Sequence, residues 1–408
     1  MRDGARRRER PEAVKAQHSR RSGGDATGAA SALRLLFIAI FFVAAAVGVA
    51  LAGRAGGEAA PTAAPLPPVY LTIVSHNEEG GAGRPVYTAD LNYYLQNRSL
   101  VKLLAETITS RGATYNFQSD WNYLKAVAMY DVGSVTNDTA GKNIVRWMKE
   151  DLGVEVDPHA HESQYNYADV AYLIEQLGVT TSKNVGGFLY DPPDNPQGWE
   201  QHEAGISGWI YPSYFWRADN LWGAGTYLHL GNDDASSGIW RPKDRYNFYV
   251  DDPNQRLLYI GGGCGSPPVL QLLDDIQTGS APAGGFYTAN LMMIQDWMTT
   301  QSIAQLGSFI DSMAPYVAQG RVQWVTLTQM ADLWRTQYGS QPSRYDCSTG
   351  TATPAPSVGG IAELPAMPGP TRAASGSLPF DDRARAAVLA AAIGAAGGLW
   401  YTRKRWLR

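Results

Sequence analysis

The chain has 408 residues, of which 44% are hydrophobic and 18% charged. That composition excludes an intrinsically disordered protein and suits two or three domains, or one barrel-sized domain with extensions. The formal charge of −4 is uneven: residues 1–34 carry nine Lys/Arg against four Asp/Glu, residues 403–408 carry four Lys/Arg and no acid, and residues 35–402 hold a net −13. An acidic body excludes a nucleic-acid-binding surface, because phosphate calls for a basic face.

Two basic ends around an acidic body suggest a membrane arrangement. Residues 1–34 read as a basic cytoplasmic tail. The run from Leu35 to Ala52 is uncharged and apolar on every face, close to the ~20 residues that cross a bilayer as a helix. Ala50-Leu51-Ala52 also resembles a signal-peptidase site, so a cleaved leader is the alternative to an anchor. Residues 53–68 are a Gly/Ala/Pro linker with nothing to bury. One folded body follows over 69–346.

Within the body, Val69–Val74 is a buried strand ending at the polar group Ser75-His76-Asn77-Glu78-Glu79. A helix is predicted over 97–111 with Gly112 as its stop, then a strand at 113–117 and a helix near 120–130. A helix over 141–152, closed by Gly153, leads into strand 154–156 and the group Asp157-Pro158-His159-Ala160-His161-Glu162. Helix 167–177 and strand 185–190 come next. Strands alternating with helices through short turns imply parallel strands with helices outside. Residues 200–265 break the rhythm with short aromatic strands and turns, and read as an insertion or long loops over a site. Helix 302–319, strand 322–325 and a short helix containing Trp334 restore it.

Beyond the body, residues 347–384 form a Pro/Ala/Gly/Ser-rich stalk. Residues 385–402 read as a second transmembrane helix, with Trp400 and Tyr401 at the interface and a basic tail at 403–408; an Ala-rich surface helix is the alternative. Positive residues outside both runs place both termini in the cytoplasm of a bacterial cell and the main domain on the far side of its membrane. Cys264 and Cys347 suit that compartment as one disulfide, with two unpaired thiols as the alternative. No close-spaced cysteine pair exists, which excludes a cysteine-based zinc site.

His159 and His161 directly follow a predicted strand, where alternate side chains point the same way. His76 and Glu78 repeat that spacing at the end of the first strand. Parallel strands bring such ends to one side, so His76, Glu78, His159 and His161 are candidate ligands of a divalent metal: zinc first, with manganese, cobalt or nickel as alternatives. The competing reading is that the histidines satisfy loop hydrogen bonds and that the glutamates are solvated turn charges.

At these residues the chain resembles the polysaccharide deacetylase (NodB-like) family of the glycoside hydrolase/deacetylase barrel superfamily. The resemblance covers about 69–191, with a fainter echo at 302–335. Leu152-Gly153-Val154-Glu155-Val156-Asp157-Pro158-His159 parallels the family's metal-binding histidine stretch, and Trp324–Trp334 looks like its closing strand and helix. Departures are specific: Ser75-His76-Asn77-Glu78 stands where the family has an Asp-Asp pair, and the second histidine follows after two residues instead of four. No counterpart of the Arg-x-Pro-Tyr motif is found.

The resemblance implies an irregular (β/α) barrel, here flanked by transmembrane helices. It also implies a metal-dependent hydrolase that removes acyl groups from a cell-envelope or extracellular polysaccharide, with Glu78, Glu79 or Asp157 taking the proton. A catalytically degenerate polysaccharide-binding relative and a two-carboxylate glycosidase are the alternatives.

Twelve Trp and 22 Tyr fit a glycan ligand, with Tyr190, Trp216, Trp222 and Trp240 as candidate sugar platforms and core packing as the competing use. Asn232-Asp233-Asp234 and Asp251-Asp252 are calcium candidates or solvated turns. No nucleotide-binding glycine loop and no Gly-x-Ser-x-Gly turn occurs, which ranks nucleotide cofactors and serine hydrolysis low.

Overall fold

The computed structural model of the chain describes residues 66–78, 85–160, 164–188, 199–223, 234–262 and 268–352, all within a compact unit from Pro65 to Arg408. The framework is a five-stranded parallel sheet. Strand β1 (Val69–Asn77) lies at its centre, buried along its whole length, as a parallel strand covered on both faces is, although Thr72, Ser75, His76 and Asn77 are polar. Helix α1 (Leu91–Thr109) leads to β2 (Tyr115–Ser119), and α2 (Trp121–Tyr130) and α3 (Ile144–Leu152) lead to β3 (Glu155–Pro158). Helix α4 (Tyr167–Gln176) follows.

Caps explain where these helices start. Asp90, Asp120 and Asn143 each accept a backbone N–H from the first turn of α1, α2 and α3, while Asn166 and Asp169 close a capping box on α4. Gly153 ends α3 at φ +70°, a left-handed position that favours glycine.

Beyond α4 the chain builds a second, mixed sheet. Its strands are β4 (Asn184–Val185), β7 (Asn220–Trp222), β8 (Ser236–Trp240), β9 (Leu258–Gly262), β12 (Tyr345–Asp346) and β13 (Thr351–Ala352), with β8 antiparallel to both β9 and β12. The short helix α5 (Glu200–Ala204) and the hairpin β5 (Ile206–Ser207) and β6 (Phe215–Trp216) lie between β4 and β7. Helix α6 (Pro268–Thr278) and β10 (Tyr287–Ile294) return the chain to the first sheet, where β10 pairs with β1 over Val69–His76. Helix α7 (Thr300–Ala318), strand β11 (Val322–Trp324) and helix α8 (Leu327–Gln337) complete it. Since β10 occupies one edge of β1, β11 and β2 share the other: β11 meets Val69–Leu71 and β2 meets Ile73–Asn77.

Two expectations are corrected. The fold is mixed α/β with a parallel sheet and a separate mixed sheet, where a (β/α) barrel flanked by transmembrane helices was expected. A barrel needs one closed, staggered ladder, and here the ladder breaks twice among the described residues. Between β3 and β4 it shrinks to the single bridge His159–Gly186, just after Pro158, which has no N–H to donate. Between β10 and the second sheet, side chains replace the ladder: Thr288 Oγ1 accepts from Gly238 N at 2.7 Å and donates to the Gly261 carbonyl at 2.6 Å. The described strands β7, β8 and β9 within residues 200–262 thus belong to a sheet and are not merely loops.

The bacterial cell-membrane location, with an extracytoplasmic domain and cytoplasmic termini, is also corrected. No helix among the described residues is long and apolar enough to cross a membrane. The two apolar runs on which that expectation rested, 35–52 and 385–402, lie outside the described residues.

Candidate functional site

Side-chain alternation on β1 sends Ser75 and Asn77 one way and Thr72, Val74 and His76 the other. On the first face, Ser75 Oγ meets Tyr115 Oη at 2.6 Å and accepts from Asn77 Nδ2 at 2.7 Å. On the second face the parallel register sets His76 beside Gln118 and Gln118 beside Asp157. One row of polar side chains thus crosses three strands. A second row, Asn116 beside Glu155, runs parallel to it.

His76, Glu78 and His159 converge at the C-terminal edge of these strands, with one potential ligand atom from each lying within 4.8 Å of the others. His76 Nδ1 is 3.8 Å from Glu78 Oε1, and His159 Nε2 is 3.5 Å from Glu78 Oε2. The two imidazole rings lie 4.3 Å apart, and the indole of Trp222 meets the His76 ring edge-on at 5.8 Å. Both histidines are buried, whereas the Glu78 side chain is 28% exposed and opens the group to solvent.

The chain makes room for these rings with glycine. Gly187 sits at φ +69°, and a Cβ there would overlap the His159 ring; a Cβ on Gly186 would overlap the Gln118 amide. Both requirements, a left-handed backbone and an open approach, select glycine at 187.

Donor chemistry and spacing fit a divalent cation. Atoms about 2.0–2.2 Å from a tetrahedral ion lie roughly 3.3–3.6 Å apart, and three protein ligands leave a coordination position open. Behind His76, Nε2 meets Gln118 Oε1 at 2.9 Å, the outer hydrogen bond that orients a ligating imidazole.

Deeper in the same face, Glu155 and Asp157 form a buried pair. Glu155 Oε1 accepts from Asn184 Nδ2 at 2.6 Å, Asn116 Nδ2 at 2.7 Å and Thr328 N at 3.1 Å, and Oε2 accepts from Thr326 Oγ1 at 2.9 Å. Asp157 Oδ2 accepts from Asn116 Nδ2 at 2.9 Å and Gln118 Nε2 at 3.2 Å, and Oδ1 from Asn184 Nδ2 at 3.1 Å and the Ser182 hydroxyl. Burial, with the neighbouring Glu155 carboxylate, pushes the Asp157 carboxyl up to about 7.

The predicted residues therefore separate. His76, Glu78 and His159 meet, while Asp157 reaches His76 through Gln118. Trp216, Trp222 and Trp240 are all buried: Trp216 stacks on Tyr167, and Trp240 donates from Nε1 to the Phe248 carbonyl at 2.7 Å. The exposed rings among the described residues are Trp209, Phe215, Tyr246 and Trp297. Asp251 is buried and paired with Arg241, whose Nη2 lies 2.7 Å from Oδ2. Glu79, His161, Tyr190 and Cys264 lie outside the described residues. Cys347 is disulfide-bonded, and Cys264 is the chain's other cysteine. Gln118 was not predicted; its signal was the polar alternation of Asn116 and Gln118 through the strand Tyr115–Ser119.

No family model matches the chain, and no curated protein matches it. Among solved structures, a 4-α-glucanotransferase from Thermococcus litoralis is similar with a TM-score of 0.34 and 10% identity, over 65% of this chain and 38% of that one. A candidate glycoside hydrolase/deacetylase from Parabacteroides distasonis is similar with a TM-score of 0.32 and 13% identity, over 68% of this chain and 73% of that one. Both likenesses are distant, and the functional reading rests on the residues of this chain.

Proposed function

We propose that His76, Glu78 and His159 hold a divalent cation and that the protein is a metal-dependent hydrolase, with an acylated glycan as the substrate class. The observation that carries the metal reading is the convergence of two buried imidazoles and one part-exposed carboxylate within 4.8 Å. The substrate class rests on the resemblance of residues 69–191 to polysaccharide deacetylases. A cation held there supplies polarisation of a carbonyl and a lowered pKa for bound water. The chain's own contribution is to bury the two imidazoles and to present Glu78 at the solvent side, where a substrate enters; with Glu78 on the cation, Glu79 or Asp157 is left to take the proton. Asp157, with both oxygens engaged by amides and a hydroxyl, supports the imidazole row from behind.

The test is metal analysis of the full chain after exposure to Zn²⁺ or Co²⁺ and dialysis, followed by acetate release from acetylated polysaccharides with and without chelator. One equivalent of metal, lost by at least tenfold in affinity in His159→Ala, is expected, along with chelator-sensitive release. Retention of wild-type affinity in both His76→Ala and His159→Ala would sink the metal reading. Metal binding without acetate release would sink the deacetylase reading alone.

A further inference from the structure

We infer that Gln118 is a positioning residue for this centre: its amide, oriented by Asp157, holds His76 in the Nε2–H tautomer and turns the Nδ1 lone pair toward Glu78. The inference rests on the metal reading for its purpose, although the tautomer itself follows from hydrogen bonds within the chain.

The orientation can be traced from a backbone group. Leu327 N–H only donates, and it meets Asn116 at Oδ1 (3.3 Å), an end that also accepts the Thr72 hydroxyl at 3.1 Å. Asn116 Nδ2 must then face the carboxylates, and it donates to Glu155 Oε1 and Asp157 Oδ2. Gln118 Nε2 donates to the same Asp157 Oδ2. Both amides meet Asp157 at Oδ2, while Ser182 Oγ and Asn184 Nδ2 donate to Oδ1.

With Nε2 committed to Asp157, Oε1 is the end of Gln118 that faces His76 Nε2 at 2.9 Å. A carbonyl oxygen only accepts, so His76 Nε2 carries the hydrogen and Nδ1 of the neutral ring carries the lone pair. That lone pair points to a carboxylate oxygen 3.8 Å away. In the metal reading the cation lies between these two groups. The strand register places the row His76, Gln118, Asp157 in the sheet before any ligand arrives, which is the preorganisation a metal ligand needs.

The experiment is ¹⁵N NMR of the metal-free full chain at about pH 8.5, above the ordinary imidazole range, with His76 assigned by its loss in His76→Asn. The Nε2–H tautomer is expected. Gln118→Leu should mix the tautomers and weaken binding of Zn²⁺ alone, measured by chelator competition, by about 10–100-fold. Gln118→Glu keeps an acceptor toward His76 and, with one proton shared with Asp157 Oδ2 in place of the amide N–H, should retain the tautomer, an outcome that simple loss of packing does not produce. A wild-type His76 in the Nδ1–H form, or a folded Gln118→Leu with wild-type tautomer and affinity, overturns the inference. If the chain takes up no metal, the metal reading fails while the NMR result still decides the relay. If Gln118→Leu does not fold, the wild-type spectrum and Gln118→Glu decide it.

Discussion

At position 202 an imidazole is sealed among aromatic rings, 5.4 Å from the Tyr167 ring centroid and 5.2 Å from that of Phe188. Burial disfavours its charged form and lowers its pKa from 6.5 to about 3. The Arg256 guanidinium donates to the His202 carbonyl at 3.0 Å and so adds no acceptor for an imidazolium. The consequence has a definite sign. Below about pH 6.5 the unfolded chain binds a proton here that the folded chain refuses, so stability is full above that pH and falls as pH drops toward 3. From pH 7 to pH 5 this one residue should remove about 2 kcal/mol, at a limiting slope of about 1.4 kcal/mol per pH unit. Urea unfolding at the two pH values measures it, and His202→Phe should flatten the difference. An unchanged pH dependence in that variant would show that other groups govern acid stability. Sequence patterning marks His202 only as one of six histidines; its environment comes from residues 167 and 188.

Helices α1 and α3 are joined through one carboxylate. Asp131 accepts from Arg98 Nε at 2.8 Å and from Ile144 N, the first residue of α3, at 2.6 Å. Arg98 also reaches Asp138 at 2.9 Å and Thr139 Oγ1 at 3.1 Å. Burial pushes the Asp131 carboxyl up, while the Ile144 N–H and the guanidinium pull it back. Because the Arg98 and Asp131 side chains are both buried and Asp131 has no other cation among the described ion pairs, removing Arg98 strands a charge: Arg98→Ala should cost about 3–5 kcal/mol. Glu106→Gln, which removes the part-exposed i,i+4 pair with Lys102, should cost under about 0.5 kcal/mol. Denaturant midpoints of the two variants check the contrast, and equal losses would refute it. Both helices were legible from apolar spacing and the stops Gly112 and Gly153, since those signals are local. Their ends shifted: α1 begins at Leu91, six residues before the predicted start, because the Asp90 cap and not the apolar run sets it. The pairing through Asp131 was not legible, as nothing local links residues 98, 131 and 144. Helix α6 and strand β10 had no sequence signal strong enough to assign, yet β10 forms the longest pairing of β1.

Over the whole molecule, the mixed sheet depends on its C-terminal strands, and the disulfide-bonded Cys347 lies immediately after β12. With two cysteines in the chain, non-reducing peptide mapping should recover a Cys264–Cys347 link. Reduction should lower stability by about 2–4 kcal/mol, read as a fall in Tm; a Tm insensitive to reductant, or separate peptides, would refute it. The sequence by itself determined the α/β alternation, the glycine helix stops, the buried first strand and the residue types able to hold a cation, because propensity, backbone freedom and side-chain alternation act over a few neighbours. Only the tertiary structure decided that the ladder opens into two sheets. It also decided that the expected Trp platforms are buried and that Gln118 stands between His76 and Asp157. Each of these depends on strand register and close approach between residues tens of positions apart, and such pairings acquire their energy only when the chain is assembled.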